Sequence, residues 1–294
     1  PLDLDRAGTR TPLLAKPLLY QEVAGARRPV DGAFNLLGPA RIGFTVGGYD
    51  PGLPLVIDPT LQTSTRLGGA GPDAGYAIAV DTQGNTYVAG TTESADFLTS
   101  TPLQTALSGP AGVPSADAFV TKISPDGARL IWSTYLGSGG RDTGFGIAVA
   151  GDGSVYVTGV TESPDFPVAR GAQTTYGGGT SDGFVTRIAA NGTGIEWSSF
   201  IGGGGTDRAR GLAIDSTGNA YLTGSTNSDN FPSVNAQQPG PFRAEDLDAF
   251  VAKFPATGAP LTFSTRLGGG NDDRGLAIAV DAQGAVYVTG DTLS

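Results

Sequence analysis

The chain has 294 residues, a formal charge of −10 and 47 glycines, and it contains no Cys, His or Met. Disulfides, thiolate zinc sites, haem ligation, iron–sulfur clusters and any His-based general base are therefore excluded within it. The acidity argues against nucleic acid and anionic membrane surfaces, which both select basic patches. No apolar run approaches the ~20 residues needed to span a bilayer.

Residues 1–62 carry AKPLLYQEV (15–23), AFNLLG (33–38), ARIGFTVGG (40–48) and LPLVIDP (53–59), which read as strands of a small β module that begins before Pro1. The start at Pro1, with no initiator Met, points to a processed or excised segment, so any export signal is expected outside these residues.

From residue 63 to 294 one block recurs. Its copies are GGAGPDAGYAIAVDTQGNTYVAGTT (68–92), GSGGRDTGFGIAVAGDGSVYVTGVT (137–161), GGGGTDRARGLAIDSTGNAYLTGST (202–226) and GGGNDDRGLAIAVDAQGAVYVTGDT (268–292). The equivalent aspartates Asp73, Asp142, Asp207 and Asp273 are spaced by 69, 65 and 66 residues, with repeat starts near 64, 133, 198 and 264. Each repeat predicts four short strands. The first covers 77–80, 146–149, 211–214 and 277–280, where small residues alternate with Ile, Leu and Val. The second covers 86–91, 155–160, 220–225 and 286–291. Between them Gly84, Gly153, Gly218 and Gly284 stand where a hairpin loop needs a positive φ. The third (118–123, 183–188, 249–254) and fourth (130–136, 195–201, 261–267) are again joined by tight turns.

Short strands, tight turns and almost no helical periodicity predict an all-β fold. The architecture expected is a β-propeller-like array of four-stranded antiparallel blades, about four repeats begun, preceded by part of the small β module. The connections between second and third strands, 93–116, 162–181 and 227–247, vary most between copies. The fourth repeat stops after its second strand, so exposed edges are expected to be covered by further chain or a partner.

STYLGSGGRDTGFGIAVAGDGSVYVTGVTESPDFP, followed by DGFVTRIAANGTGIEWSSFIGG, resembles the bacterial seven-bladed β-propeller repeat family. The head, with KPLLYQEVAGARRPVDGAF and VGGYDPGLPLVIDP, resembles the end of an uncharacterised β-rich domain that often precedes such repeats. The resemblance implies a large, exported or cell-surface bacterial protein with no established enzymatic activity and no agreed catalytic residues.

An up-and-down blade places the Gly-rich Asp loops and the long variable loops at one end. Asp73, Asp142, Asp207 and Asp273, joined by Asp96, Asp165 and Asp229, are expected to make that end acidic. GGAGPD (68–73) and Gly202 to Asp207 fit half of a calcium-binding nonapeptide, which makes the four repeated aspartates calcium candidates. Ser138 and Asn271 break the pattern, and nonapeptide sites stack every nine residues. The structural reading, an Asp that holds loop amides, therefore outweighs the metal one, and no cofactor is expected. Asp117/Lys122, Asp182/Arg187 and Asp248/Lys253 lie five apart on a strand, so they cannot meet within it. Asp81, Asp215 and Asp281 open the first hairpin, where copy two has Ala150. Tyr87, Tyr156, Tyr221 and Tyr287 are expected to pack with a hydroxyl near an edge. Trp132, Trp197 and Phe263 are expected between blades.

The leading functional expectation is a non-enzymatic extracellular or cell-surface scaffold that binds protein subunits or surface components. A glycan-binding adhesin using TTYGGG (174–179) and NFPSVNAQQPGPF (230–242) is the first alternative, with exposed loop aromatics as its signature. A glycosidase or lyase with two carboxylates is the second. No motif marks a catalytic pair.

Overall fold

The computed structural model describes residues 3–6, 9–12, 18–38, 41–58, 65–109, 115–238 and 245–294, and every regular element among them is a strand. They fall into two compact units. One comprises Pro1–Arg66 with the turn segments Gln83–Asn85 and Ser124–Arg129; the other comprises Leu67–Thr82, Thr86–Ile123 and Leu130–Ser294. The expected boundary at 62/63, and residues 15–17, 40 and 59 of the predicted head strands, lie outside the described residues.

In the first unit β1 (Asp3–Arg6) pairs with β2 (Thr9–Pro12), and β3 (Leu18–Val23) lies between β4 (Ala26–Val30) and β7 (Leu55–Asp58). β5 (Gly32–Gly38) pairs with β6 (Arg41–Val46). The buried amide of Gln21 donates to Asp50 O (2.7 Å) and Leu53 O (3.1 Å) and accepts from Asp50 N (2.8 Å), which ties the loop before β7 to β3. Sequence reading missed β1, β2 and β4. β4 reads ARRPV, and an internal Pro with two Arg hides an edge strand.

The second unit repeats one sheet. β8 (Asp73–Val80), β9 (Thr86–Thr92), β10 (Asp117–Ile123) and β11 (Leu130–Leu136) form an antiparallel meander in chain order. β12 (Asp142–Val149), β13 (Val155–Thr161), β14 (Asp182–Ile188) and β15 (Ile195–Ile201) repeat it, as do β16 (Asp207–Ile214), β17 (Ala220–Thr226), β18 (Asp248–Phe254) and β19 (Phe263–Leu267). β20 (Asp273–Val280) and β21 (Val286–Thr292) form a two-stranded ladder of the same kind. The all-β array of four-stranded antiparallel sheets is thus as expected.

The first strand of each sheet starts four residues earlier than its alternation predicts, at the repeated Asp. A β-bulge between Gly75 and Ala77, repeated at Gly144/Gly146, Ala209/Gly211 and Gly275/Ala277, inserts one unpaired residue. The period-two pattern therefore resumes only beyond it. Facing the bulge are Gly90, Gly159, Gly224 and Gly290. A Cβ on Gly159 would stand 1.8 Å from Thr143 O and 2.8 Å from the Phe184 ring. Gly159→Ala is expected to cost about 3 kcal/mol or more in urea denaturation; an unchanged midpoint would refute this close approach.

The hairpin glycines Gly84, Gly153, Gly218 and Gly284 all take positive φ, between 82° and 84°. Trp132 and Trp197 lie between sheets. Trp132 Nε1 donates to Ala190 O of the next sheet (3.2 Å), and Trp197 Nε1 to Ala256 O (2.9 Å). Each indole rests on a turn glycine, Gly192 or Gly258, where a Cβ would come within 2.5 Å of the ring. Tyr76, Ile78 and Val80 on β8 and Leu276 and Tyr287 on β20 and β21 are exposed.

Candidate functional site

The repeated polar residues gather at one end of the sheets because strand register puts them in one row. Asp73, Thr92 and Asp117 are successive cross-strand partners, as are Asp142, Thr161 and Asp182, and Asp207, Thr226 and Asp248. The first Asp of each row braces its Gly-rich loop. Asp73 Oδ2 accepts from Gly69 N (2.8 Å) and Ser94 Oγ (2.9 Å), and Asp142 Oδ2 from Ser138 N (2.8 Å) and Ser163 Oγ (2.9 Å). Asp207 Oδ2 accepts from Gly203 N (2.8 Å) and Ser228 Oγ (2.6 Å), and Asp273 Oδ2 from Gly269 N (2.9 Å) and Ser294 Oγ (3.0 Å). Ser94, Ser163 and Ser228 also accept from Gly71, Gly140 and Gly205 N. The loop amides are thus satisfied from inside the repeat.

The second Asp of each row meets a glutamine from the long connection. Gln104 Nε2 donates to Asp117 Oδ2 while its Oε1 accepts from Gly137 N (3.0 Å). Gln173 repeats this with Asp182 (3.5 Å) and Gly202 N (3.1 Å), and Gln238 Oε1 accepts from Gly268 N (3.3 Å). The serines and glutamines went unread in the sequence, although their signal is present. Ser94, Ser163 and Ser228, and Gln104, Gln173 and Gln238, recur at 69 and 65 residues, the spacings of the aspartates.

The expected acidic surface is not built from the repeated aspartates. Asp142, Asp207 and Asp273 are buried and Asp73 is half-buried. Asp96 stands at the surface and caps its loop by accepting from Ala70 N (2.8 Å). Its counterpart in the third repeat is Asn230, which accepts from Gly204 N (2.7 Å), and not Asp229, which lies one residue earlier. In the second repeat a hydrogen bond from the Ser138 hydroxyl holds Asp165 below the usual carboxylate range.

Burial pushes Asp142 and Asp182 up to about 7, and Asp117 and Asp248 up to about 6. The charge of a neighbouring Asp adds to this at Asp142, Asp182 and Asp248. Among the described residues no three acidic side chains converge as a metal cluster.

The β-propeller repeat matches residues 64–97, 131–167 and 196–232; each match covers the first two strands of one four-stranded sheet, and the second and third also take in the last strand of the sheet before. This chain carries β-propeller repeats. A domain of unknown function (DUF7948) matches residues 9–60. The regulatory protein FlaEY of Caulobacter vibrioides is 30% identical over 220 residues, covering 73% of this chain and 21% of that protein. The chain therefore spans about a fifth of this relative's length.

At the opposite end of the propeller repeats, Tyr87 donates to Asp81 (2.9 Å) and Tyr221 to Asp215 (3.1 Å), with Lys122 and Lys253 4.9 and 4.8 Å over the rings. The second repeat, with Ala150 in place of the Asp, rebuilds the arrangement. Arg187 covers Tyr156 (5.3 Å) and pairs with Asp152 and Glu196, both at 2.7 Å, and Tyr156 donates instead to Gly218 O (2.8 Å) of the next sheet. With one ring face covered by a cation, these buried tyrosines serve packing.

From the loop end down to the turn between β18 and β19, a cleft of about 890 Å³ opens between the second and third repeats, with Tyr176, Phe200, Gly202, Asn230, Pro232 and Leu261 in its walls. The variable segments 174–179 and 230–238 meet there; residues 239–242 of the second lie outside the described residues. Tyr176 packs edge-on against Phe200 (5.7 Å), and burial pushes its phenol up to about 12.

Proposed function

We propose that these β-propeller repeats form an interaction module of an exported or cell-surface protein, which offers the loop end of its sheets to a protein partner and carries out no chemistry. The observation that carries this reading is a division of labour at the loop end. The recurring Asp, Ser and Gln side chains are engaged in bracing backbone, whereas segments that differ between copies line the open cleft. The raised carboxyls lie buried beneath the loops, which counts against an acid–base pair working on a substrate. Phe97, Phe166 and Phe231 are buried as well, which favours a protein partner over a stacked sugar. The relative's printed name, a regulatory protein, fits an interaction role.

A photo-crosslinking amino acid placed at Tyr176, in the cells that make the protein, tests the reading. A discrete polypeptide adduct is expected there and not from the exposed turn residue Thr193. No adduct, or glycan binding that Pro232→Asp abolishes, would overturn it.

A further inference from the structure

At two sheet junctions, paired buried carboxylates stand with no cation within ion-pair distance among the described residues; the charge of Arg266 reaches Asp207 only from farther off. Asp117 Oδ1 and Asp142 Oδ2, from adjacent sheets, lie 2.7 and 2.5 Å from where a Cβ on Gly137 would stand. Asp182 Oδ1 and Asp207 Oδ2 flank Gly202 in the same way, at 2.6 and 2.9 Å. All four residues are 0% exposed, and Oδ1 of each has no hydrogen-bond partner. Among the described residues no ion pair reaches any of them. Two desolvated carboxylates this close repel strongly unless a positive charge joins them.

The third junction contains one. Arg266 faces Phe250 across β18 and β19, as Tyr135 faces Phe119 and Phe200 faces Phe184 in the earlier sheets. It donates to Ser228 O (3.1 Å) just as Tyr135 donates to Ser94 O (2.7 Å). Its guanidinium lies 3.9 Å from Asp248, which meets Asp273 across Gly268. The same pairing thus occurs once with a cation at ion-pair distance and twice without one.

We propose that the Asp117/Asp142 and Asp182/Asp207 pairs each hold one calcium ion, and that Arg266 takes the place of the ion at Asp248/Asp273. The donors are all oxygen, which suits a hard cation. Two carboxylates per ion leave the remaining positions to carbonyls and water and set a weak site, with Kd on the order of 10⁻⁴–10⁻³ M. The assignment moves calcium from the single repeated aspartates of the sequence reading to pairs drawn from adjacent sheets. Asp73, with no second carboxylate at Gly68 among the described residues, takes no ion.

Equilibrium dialysis of the chelator-treated protein against calcium chloride, at pH 7.5 in 150 mM potassium chloride, reads the stoichiometry. About two ions per chain are expected. The isosteric double variant Asp117→Asn/Asp142→Asn should retain one, and Arg266→Tyr, which copies the first repeat, should gain a third. No calcium retained at 10 mM overturns the proposal, as does an Arg266→Tyr variant that still binds two. If Arg266→Tyr fails to fold, the Asn pair decides alone, and retention of both ions would be fatal to the idea.

Discussion

Stripped of divalent cations, the protein is expected to melt about 5 °C higher at pH 5 than at pH 7.5. Burial raises Asp142 and Asp182 to about 7 and Asp117 and Asp248 to about 6, against an unfolded value of roughly 3.9. Hydrogen bonds from Thr161, Ser138 and Ser163 to Asp142, and from Gly177 N to Asp182, oppose the rise without cancelling it. Between about pH 4 and 7 the native state therefore binds more protons than the unfolded chain, and stability must fall as pH rises through that window. For a chain of 294 residues that shift corresponds to a net ~3 kcal/mol, which about two units of pKa difference supply at about 1.4 kcal/mol each. Below about pH 4 this gain is complete and the turn aspartates dominate. Hydrogen bonds from Ser154 hold Asp152 low. At Asp215 the effect of burial is outweighed by hydrogen bonds from Thr217 and Asn219. Their contribution is lost as they protonate, so the profile should peak near pH 5. Thermal melts across pH 3.5–8 check this; a curve that is flat or rising between pH 5 and 7.5 would contradict the buried pairs. Calcium, competing with protons for the same oxygens, should reduce the difference by stabilising the protein at pH 7.5.

Trp197→Ala should destabilise the fold by about 4 kcal/mol, the loss typical of a fully buried large aromatic. The indole is 2% exposed, stacks on Phe254 (5.9 Å, 19° between planes) and meets Tyr156 edge-on (6.0 Å). Its Nε1 bond to Ala256 O joins the second sheet to the third. Trp197→Phe keeps most of the apolar burial and loses that bond, so about 1–2 kcal/mol is expected for it. Phe263 already occupies the equivalent place opposite Lys253 in the third sheet, as Trp197 does opposite Arg187. Urea denaturation separates the two variants. A loss under about 1 kcal/mol for the Ala variant would mean that the indole is not what holds the sheets together.

These repeats are readable because their signals are local. The hairpin glycines, the meander order of four strands and the Trp position between sheets all follow from residues a few places apart, and each was legible in the 294 residues alone. The strand that begins at the Asp was not, because the bulge hides three paired residues from any period-two count. Ser163 and Gln173 were missed for a different reason. Their hydroxyl and amide carry no chemistry by themselves, and their recurrence gains meaning only once Asp142, Gly140 and Gly202 are seen to be their partners. Asn230 shows the reverse error, since matching by residue type favoured the neighbouring Asp229 over the residue that caps the loop.

By itself, then, the amino-acid sequence determined the β-propeller repeat, its turns and the absence of Cys and His chemistry, since these depend on composition and short-range pattern. Tertiary structure alone decided that Asp142, Asp207 and Asp273 are buried, and that Asp117 faces Asp142 and Asp182 faces Asp207. Those pairs are made between sheets, where burial and the distance between like charges depend on how one repeat packs on the next.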